Sequence, residues 1–343
     1  MLTVKAYGAT SATDPLVPLE IQRRDVGPHD VLIAIRYAGI CHSDIHTVRE
    51  EWGKITYPQV VGHEIVGEVV EVGSDVTRHA VGDRVGVGCM VNSCGECEQC
   101  LADNEHYCLN GNVGTYDSID VDGTPTQGGY STHIVVDEKF ALKVPESIPY
   151  EAAAPLLCAG ITTYSPLARW GAGPGKKVAV VGLGGLGHMA VKIAVAMGAE
   201  VTVISRTDRK RDDALKFGAV DLVPEADMKP LRGTFDLIIN TVSEGLDIAQ
   251  YLKLLKPEAT LVIVGLPSKP LQIGAGALIM GSRNFAGSNI GGIRETQEML
   301  DFCAEHGIAP EVETISADEI NDAYDRVVRG DVRYRFVIDT ATL

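Results

Sequence analysis

Three groups of residues in this chain could do chemistry by type and spacing. The first is Cys94-x2-Cys97-x2-Cys100-x7-Cys108, four thiols on one loop. Four thiolates so spaced fit a closed, tetrahedral structural zinc site. An iron–sulfur run would place its fourth cysteine after three residues and before a proline, which this loop does not. The second group is scattered: Cys41-His42-Ser43-Asp44, then Gly62-His63-Glu64, then Cys158. Cys, His and Cys are suitable zinc ligands, and three protein ligands leave a fourth position open for water or substrate. Each also has a plainer reading, the thiols as small buried hydrophobes and His63 as a hydrogen-bonded core histidine. Spacing alone leaves both readings open. The third group is Gly182-Leu183-Gly184-Gly185-Leu186-Gly187, a G-x-G-x-x-G.

That glycine run needs a strand before it and a helix after it. Residues 178–181 (VAVV) are too few for a helix and β-branched enough for a buried parallel strand. Residues 188–197 read as a helix stopped by Gly198, and 201–204 (VTVI) as the second strand of a βαβ unit. In that setting Gly182 makes the tight turn, Gly184 lets backbone approach a pyrophosphate, and Gly187 lets helix pack on strand. The helix N-terminus then offers free N–H groups to the phosphates. Dinucleotide binding is the expectation.

The end of the second strand sets the expectation for which dinucleotide. An NAD-binding unit carries a carboxylate there for the ribose 2′-OH. This chain has Ser205, Arg206 and Thr207, with Lys210 close behind. A hydroxyl can donate to a 2′-phosphate, and an arginine can grip it with two parallel N–H bonds. NADP(H) is therefore expected over NAD(H). Cations in a helix's first turn would otherwise oppose its dipole, and Asp208 reads as a turn or cap residue.

Residues up to about 150 read as mostly β, with strand-like runs at 31–35, 66–72 and 133–136. The texture then changes. Residues 151–170 look helical, and strands at 235–240 and 261–265 alternate with helices at 209–217 and 248–255, which implies a parallel sheet. Residues 294–306 read as a helix and 333–339 as a strand whose partner periodicity does not place. The bulk numbers agree with two domains, the chain being 343 residues long and 45% hydrophobic. A net charge of −16 argues against a nucleic-acid surface. No apolar run is long enough for a membrane span, and the N-terminus MLTVKAYGAT lacks a signal peptide's apolar core. A soluble, cytoplasmic protein is expected, in which clustered cysteines bind metal rather than pair. Cys303 reads as packing, and His29, His79, His106, His133, His188 and His306 as surface or capping residues.

Taken together, Gly62-His63-Glu64 with Gly67, the four-cysteine loop, Cys41-His42-Ser43-Asp44-Ile45-His46 and the glycine run resemble the zinc-dependent medium-chain alcohol dehydrogenases, over essentially the whole chain. The stretches 124–130 (TPTQGGY), 158–162 (CAGIT) and 333–336 (RYRF) resemble the cinnamyl-alcohol-dehydrogenase-like branch, whose members are often broad aldehyde reductases. The resemblance implies an α/β fold: a Rossmann doubly wound parallel sheet plus a mostly-β GroES-like catalytic domain. It implies a catalytic domain over 1–152, with 290–343 returning to it, and a dinucleotide domain over 153–289. It implies two zinc ions per chain, one on Cys41, His63 and Cys158 with Glu64 as an occasional fourth ligand, the other on the four-cysteine loop. Asp44 would accept the other ring N–H of His63. Ser43 would bond the substrate oxygen and pass its proton through the cofactor ribose to His46. Thr162 would touch the nicotinamide side, and His42 and Arg335 the pyrophosphate. Trp52, Tyr57, Asn289 and Ile290 would wall the substrate pocket, and Cys89 reads as either a core residue or a further pocket wall. Plant members usually carry a tryptophan just ahead of a Thr-Tyr pair, whereas this chain has Gly114-Thr115-Tyr116. A missing indole removes a stacking wall and favours a wider pocket.

The implied reaction interconverts primary alcohols and aldehydes with NADP(H), in a homodimer or homotetramer that meets neither nucleic acid nor membrane. Two other readings compete. A zinc-ribbon nucleic-acid module is opposed by the acidic charge and the full βαβ unit. A non-catalytic nucleotide- and zinc-binding protein of the same fold is opposed by the presence of Cys41, His63 and Cys158 together.

Overall fold

The computed structural model describes residues 1–343 apart from Glu244, Leu246 and Ser268. Its described residues form two compact units, Met1–Cys158 with Gly291–Leu343, and Ala159–Ile290.

The spine of the first unit is the strand Asp30–Gly39. Its alternation sends Val31, Ile33 and Ile35 into one apolar core, while Ala38, near its end, and Ile40, just after it, join another. It pairs antiparallel with Ile65–Val72, His133–Asp137 and, at its far end, Arg335–Asp339, in register Val337 with Gly39 and Ile338 with Ala38. Arg335–Asp339 also pairs in parallel with Val312–Ile315. The tail strand thus returns to the first unit beside the point where the chain leaves the spine for Cys41. Gly39 donates its N–H to the Glu64 carbonyl at 2.8 Å, and Ile40 donates to Phe336 at 2.9 Å. Cys41 is thereby held between the segments that carry Glu64 and Arg335.

The second unit is a six-stranded parallel sheet in the order Asp221–Pro224, Glu200–Ser205, Lys177–Val181, Phe235–Asn240, Leu255–Ile263, Asn284–Gly287. Numbered along the chain this is 3-2-1-4-5-6, the doubly wound dinucleotide-binding order. Ala179, Val181, Ile204, Ile238 and Leu261 form its core with Phe235 and Leu252. The helix after the glycine run spans Gly185–Ala196, three residues earlier than its apolar pattern suggests, because its first turn is built from the glycines themselves.

Four local expectations differ from the structure. Residues 151–170 are not one helix but a short turn of helix Tyr150–Ala153, a 3-10 turn Ala154–Leu157 and the helix Ala159–Arg169. Pro155 has no N–H to give a continuous helix, and the break leaves Cys158 with φ −127° and ψ −68°. The strand expected at 261–265 begins earlier, at Leu255, running through Pro257 and the left-handed Glu258. The helix expected at 209–217 is Arg211–Lys216, so Arg206 and Thr207 stand in the preceding loop and the first turn carries Asp212 and Asp213. Lys210 and Arg211 still stand at the helix start, but Asp212 and Asp213 beside them satisfy its dipole without a bound anion, and the strand end still carries no carboxylate. Finally, His79, His106 and His188 are buried, not surface residues. His79 Nε2 lies 3.0 Å from the Ala141 carbonyl. Among the described residues no helix is long and apolar enough to cross a membrane.

Candidate active site

Cys41 caps the N-terminus of the short helix His42–Val48. Cys158 ends the 3-10 turn, and His63 and Glu64 precede the strand Ile65–Val72. All four are buried, and their ligand atoms lie within 4.8 Å of one another. The Cys41 and Cys158 sulfurs are 3.8 Å apart. His63 Nε2 is buried without a hydrogen-bond partner, and so is Glu64 Oε2. Two thiols, an orphaned imidazole nitrogen and a spare carboxylate oxygen converging at this range are the donor set of a tetrahedral metal. Hydrogen bonding between the thiols draws Cys41 well below, and pushes Cys158 well above, the ordinary thiol range. A thiolate is thus favoured before any metal arrives.

Glycines shape this pocket. A Cβ on Gly39 would stand 2.1 Å from Glu64 Oε2, so the spine strand can approach the carboxylate only without a side chain. Gly62 has φ +105°, a backbone that L side chains rarely adopt, and a Cβ there would meet the Tyr130 ring at 2.5 Å.

Glu64 Oε1 pairs with the Arg335 guanidinium, and both side chains are buried. Burial pushes the Glu64 carboxyl up, with the Arg335 charge opposing it. Arg335, expected at a pyrophosphate, directs Nη2 at this carboxylate. Asp44 also departs from expectation. Its Oδ2 accepts the Cys41 N–H at 2.8 Å and the Tyr130 hydroxyl at 3.0 Å, and its Oδ1 accepts the Gly62 N–H at 3.2 Å. Its distance to His63 Nδ1 is 3.5 Å, whereas Tyr116 Oη lies only 3.0 Å from that nitrogen. Tyr116 is thus a site residue that sequence reasoning missed. The only signal available was its place in the Gly-Thr-Tyr departure.

Ser43 Oγ lies 3.5 Å from the Cys41 sulfur. His42, His46 and Trp52 form a ladder of rings, with centroids 4.6 and 4.7 Å apart. His46 Nδ1 is paired with Glu51. Burial, and then the neighbouring His46, lower the His42 imidazole below its ordinary range. Trp52 is exposed, the Tyr57 hydroxyl donates to the Val48 carbonyl at 2.9 Å, and half-buried Cys89 lies 3.9 Å from the Leu157 carbonyl.

The four-cysteine loop also converges, with its sulfurs within 4.8 Å of one another. Cys97 and Cys100 sulfurs are 3.5 Å apart. The Cys97 sulfur accepts the Leu109 N–H, and the Cys94 sulfur accepts that of Cys97, both at 3.4 Å. Backbone N–H groups aimed at sulfur, first that of Cys100 and then that of Leu109, bring the Cys97 thiol down to about 6. Such an arrangement suits bound thiolates rather than free thiols. The loop is anchored on the helix Ile293–Glu305. Ile293 donates its N–H to Glu105 at 3.0 Å, Arg294 pairs with Asp103, and a Cβ on Gly292 would strike the Asp103 carbonyl. Cys303 is buried against Met299, as packing requires.

In the second unit Gly182 has φ +90°, and a Cβ on Gly187 would stand 2.1 Å from the Gly182 carbonyl oxygen. Gly184 caps the helix, and a Cβ there meets nothing within 4 Å. The turn, the close helix–strand contact and the open cradle are the three features a pyrophosphate site needs. Gly185 and Leu186 supply the first-turn N–H groups. Ser205 ends its strand and Arg206 and Thr207 are exposed beyond it. Lys210 Nζ donates to the Leu183 carbonyl at 3.0 Å, tying this loop to the glycine run. Thr162 is buried in the first turn of Ala159–Arg169, and Asn289 and Ile290 end the unit, Ile290 with φ +28°.

Comparison with known proteins agrees with this geometry. Residues 27–146 match the family described as alcohol dehydrogenase GroES-like domain, and residues 185–305 match zinc-binding dehydrogenase. The chain is 62% identical to NADP-dependent alcohol dehydrogenase C 1 of Mycolicibacterium smegmatis, over 100% of this chain and 99% of the relative. It superposes on a cinnamyl alcohol dehydrogenase from Sorghum bicolor with TM-score 0.96 and 46% identity, over 99% and 98% of the two chains. A cinnamyl alcohol dehydrogenase from Helicobacter pylori complexed with NADP(H) gives TM-score 0.94 and 46% identity, over 99% of each chain.

Proposed function

Because this chain belongs to the zinc-binding dehydrogenases with an alcohol dehydrogenase GroES-like domain, we propose that it interconverts primary alcohols and aldehydes with NADP(H), acting as a broad aldehyde reductase. The observation that carries this reading is the buried convergence of Cys41, His63, Glu64 and Cys158 around an orphaned Nε2. A zinc ion held there supplies a Lewis acid to the substrate oxygen, and the nicotinamide supplies or takes the hydride. The chain's own residues do the rest. Cys41, His63 and Cys158 hold the metal, and the Arg335–Glu64 pair keeps the spare carboxylate beside it. Ser43 holds a proton at Oγ next to the reacting oxygen. His46, oriented by Glu51 and stacked between His42 and Trp52, carries that proton toward solvent. Trp52, Tyr57 and Cys89 are pocket walls near the substrate.

The glycine run, with Ser205, Arg206, Thr207 and Lys210, binds the NADP(H) phosphates; by the family resemblance Thr162 touches the nicotinamide side, His42 the pyrophosphate, and Asn289 and Ile290 the substrate. The protein is cytoplasmic and works as a homodimer or homotetramer, which light scattering tests. An activity panel of aliphatic and aromatic aldehydes with each nicotinamide cofactor tests the reaction itself.

Two variants probe these roles. His46→Gln should slow alcohol oxidation about tenfold or more, the lower end of what a positioned acid–base group contributes. The loss should be greatest on the acidic side, and added imidazole should restore part of the rate. An unaltered pH–rate profile removes His46 from the mechanism. Arg206→Asp should lower kcat/KM for NADPH by about 10- to 100-fold, the worth of a charge-assisted contact of roughly 1–3 kcal/mol, and spare NADH. Equal losses with both cofactors would show that Arg206 does not read the 2′-phosphate.

A further inference from the structure

We propose that Tyr116 is a positioning residue for the first metal centre: its hydroxyl oxygen accepts the Nδ1–H of His63 in a hydrogen bond. This rests on the reading of Cys41, His63 and Cys158 as zinc ligands.

Three observations carry it. The first is distance. His63 Nδ1 is 3.0 Å from Tyr116 Oη and 3.5 Å from the nearer Asp44 oxygen, so the phenol is the partner in hydrogen-bond range. The second is the occupancy of Asp44. A carboxylate offers about four acceptor positions, and the N–H groups of Cys41 and Gly62 and the Tyr130 hydroxyl already take three. The third is ring geometry. The His63 and Tyr116 rings stack with centroids 5.5 Å apart and planes 24° from parallel, which restrains rotation of the imidazole.

The proton ledger follows from these contacts. His63 keeps its proton on Nδ1 because an oxygen accepts it there, and Nε2 keeps its lone pair for the metal. The segment just before Tyr116 is held in place: the Thr115 hydroxyl donates to the Gly88 carbonyl, and Gly114 donates its N–H to Ser118 Oγ at 3.1 Å. A phenol thus stands where a direct carboxylate–histidine contact was expected.

The test compares Tyr116→Phe, which keeps the half-buried ring and deletes one oxygen, with Tyr130→Phe, which deletes a hydroxyl bonded to Asp44 without touching His63. Zinc per chain, its release to a chelator, and the visible spectrum after cobalt loading are read for each. In Y116F, metal should leave the first site about 10- to 100-fold faster, the range for losing an outer partner of a ligand histidine. Release from the four-cysteine site and the melting temperature of the metal-free chain should not change, and the cobalt bands should shift. Y130F should release metal at nearly the wild-type rate. Wild-type release from Y116F, or equal acceleration at both sites, overturns the proposal. If wild type instead holds metal only at the four-cysteine loop, the zinc reading of the first site fails, and this proposal with it.

Discussion

Cys41→Ala should abolish turnover and leave a folded protein, whereas Cys97→Ala should leave the chemistry intact in whatever protein survives and lower its stability. The two cysteines are both thiols in four-membered donor sets, so the contrast lies in what each set does. The first keeps a position open for substrate, and removing a ligand there withdraws several kcal/mol of charge stabilisation from the reaction, about 10³-fold or more in rate. Folding does not depend on it to the same degree, because the strand register that brings Gly39, Glu64 and Phe336 together is made by backbone hydrogen bonds. The second set is closed by four cysteines on a loop with little core of its own. Its sulfurs take backbone N–H groups from Cys97 and Leu109. Losing even about 3 kcal/mol of the roughly 10–16 measured for structural zinc sites should lower the melting temperature by about 6–12 °C. Calorimetry and zinc content on both variants check this. Unchanged stability and zinc content in C97A would refute the structural site.

Gly187→Ala should unseat the dinucleotide by distorting the protein, and Gly184→Ala should unseat it without doing so. At Gly187 the added carbon would stand 2.1 Å from the Gly182 oxygen and 2.8 Å from its carbonyl carbon. Both are backbone atoms, so the helix itself must move off the strand, at about 1–3 kcal/mol. The melting temperature and the cofactor affinity should fall together, the latter by roughly 10- to 100-fold. At Gly184 the new methyl meets nothing within 4 Å and the backbone, with φ −112° and ψ −154°, tolerates a side chain. Its melting curve should match wild type while NADPH binding weakens comparably. Titration of NADPH fluorescence against thermal melts separates the two. Unimpaired cofactor binding in both variants would mean that the pyrophosphate does not sit on this loop.

What could be read in the sequence was what is local along the chain. The four-cysteine loop and the glycine run state their geometry in their spacing, and the strand at Phe235–Asn240 announces itself by the short apolar stretch Leu237-Ile238-Ile239. What could not be read depends on partners far away. Tyr116 meets His63 across 53 residues and Arg335 meets Glu64 across 271, and no periodicity encodes either meeting. His79 looked like a surface residue because its burial is decided by carbonyls that a distant segment brings to it. The helical texture of 151–170 came from alanines that favour helix, while Pro155 and the turn at Cys158 follow the demands of the site. The helix Ile320–Arg329 and the strand Val312–Ile315 passed unnoticed between better-marked neighbours.

The most direct test of the account is the ratio of kcat/KM for NADPH over NADH, with one aromatic aldehyde and protein carrying two zinc ions per chain. With hydroxyls and Arg206 at the end of Glu200–Ser205 and no carboxylate there, NADPH should be preferred by about tenfold or more. A preference for NADH, or no reduction of the aldehyde with either cofactor, would contradict it.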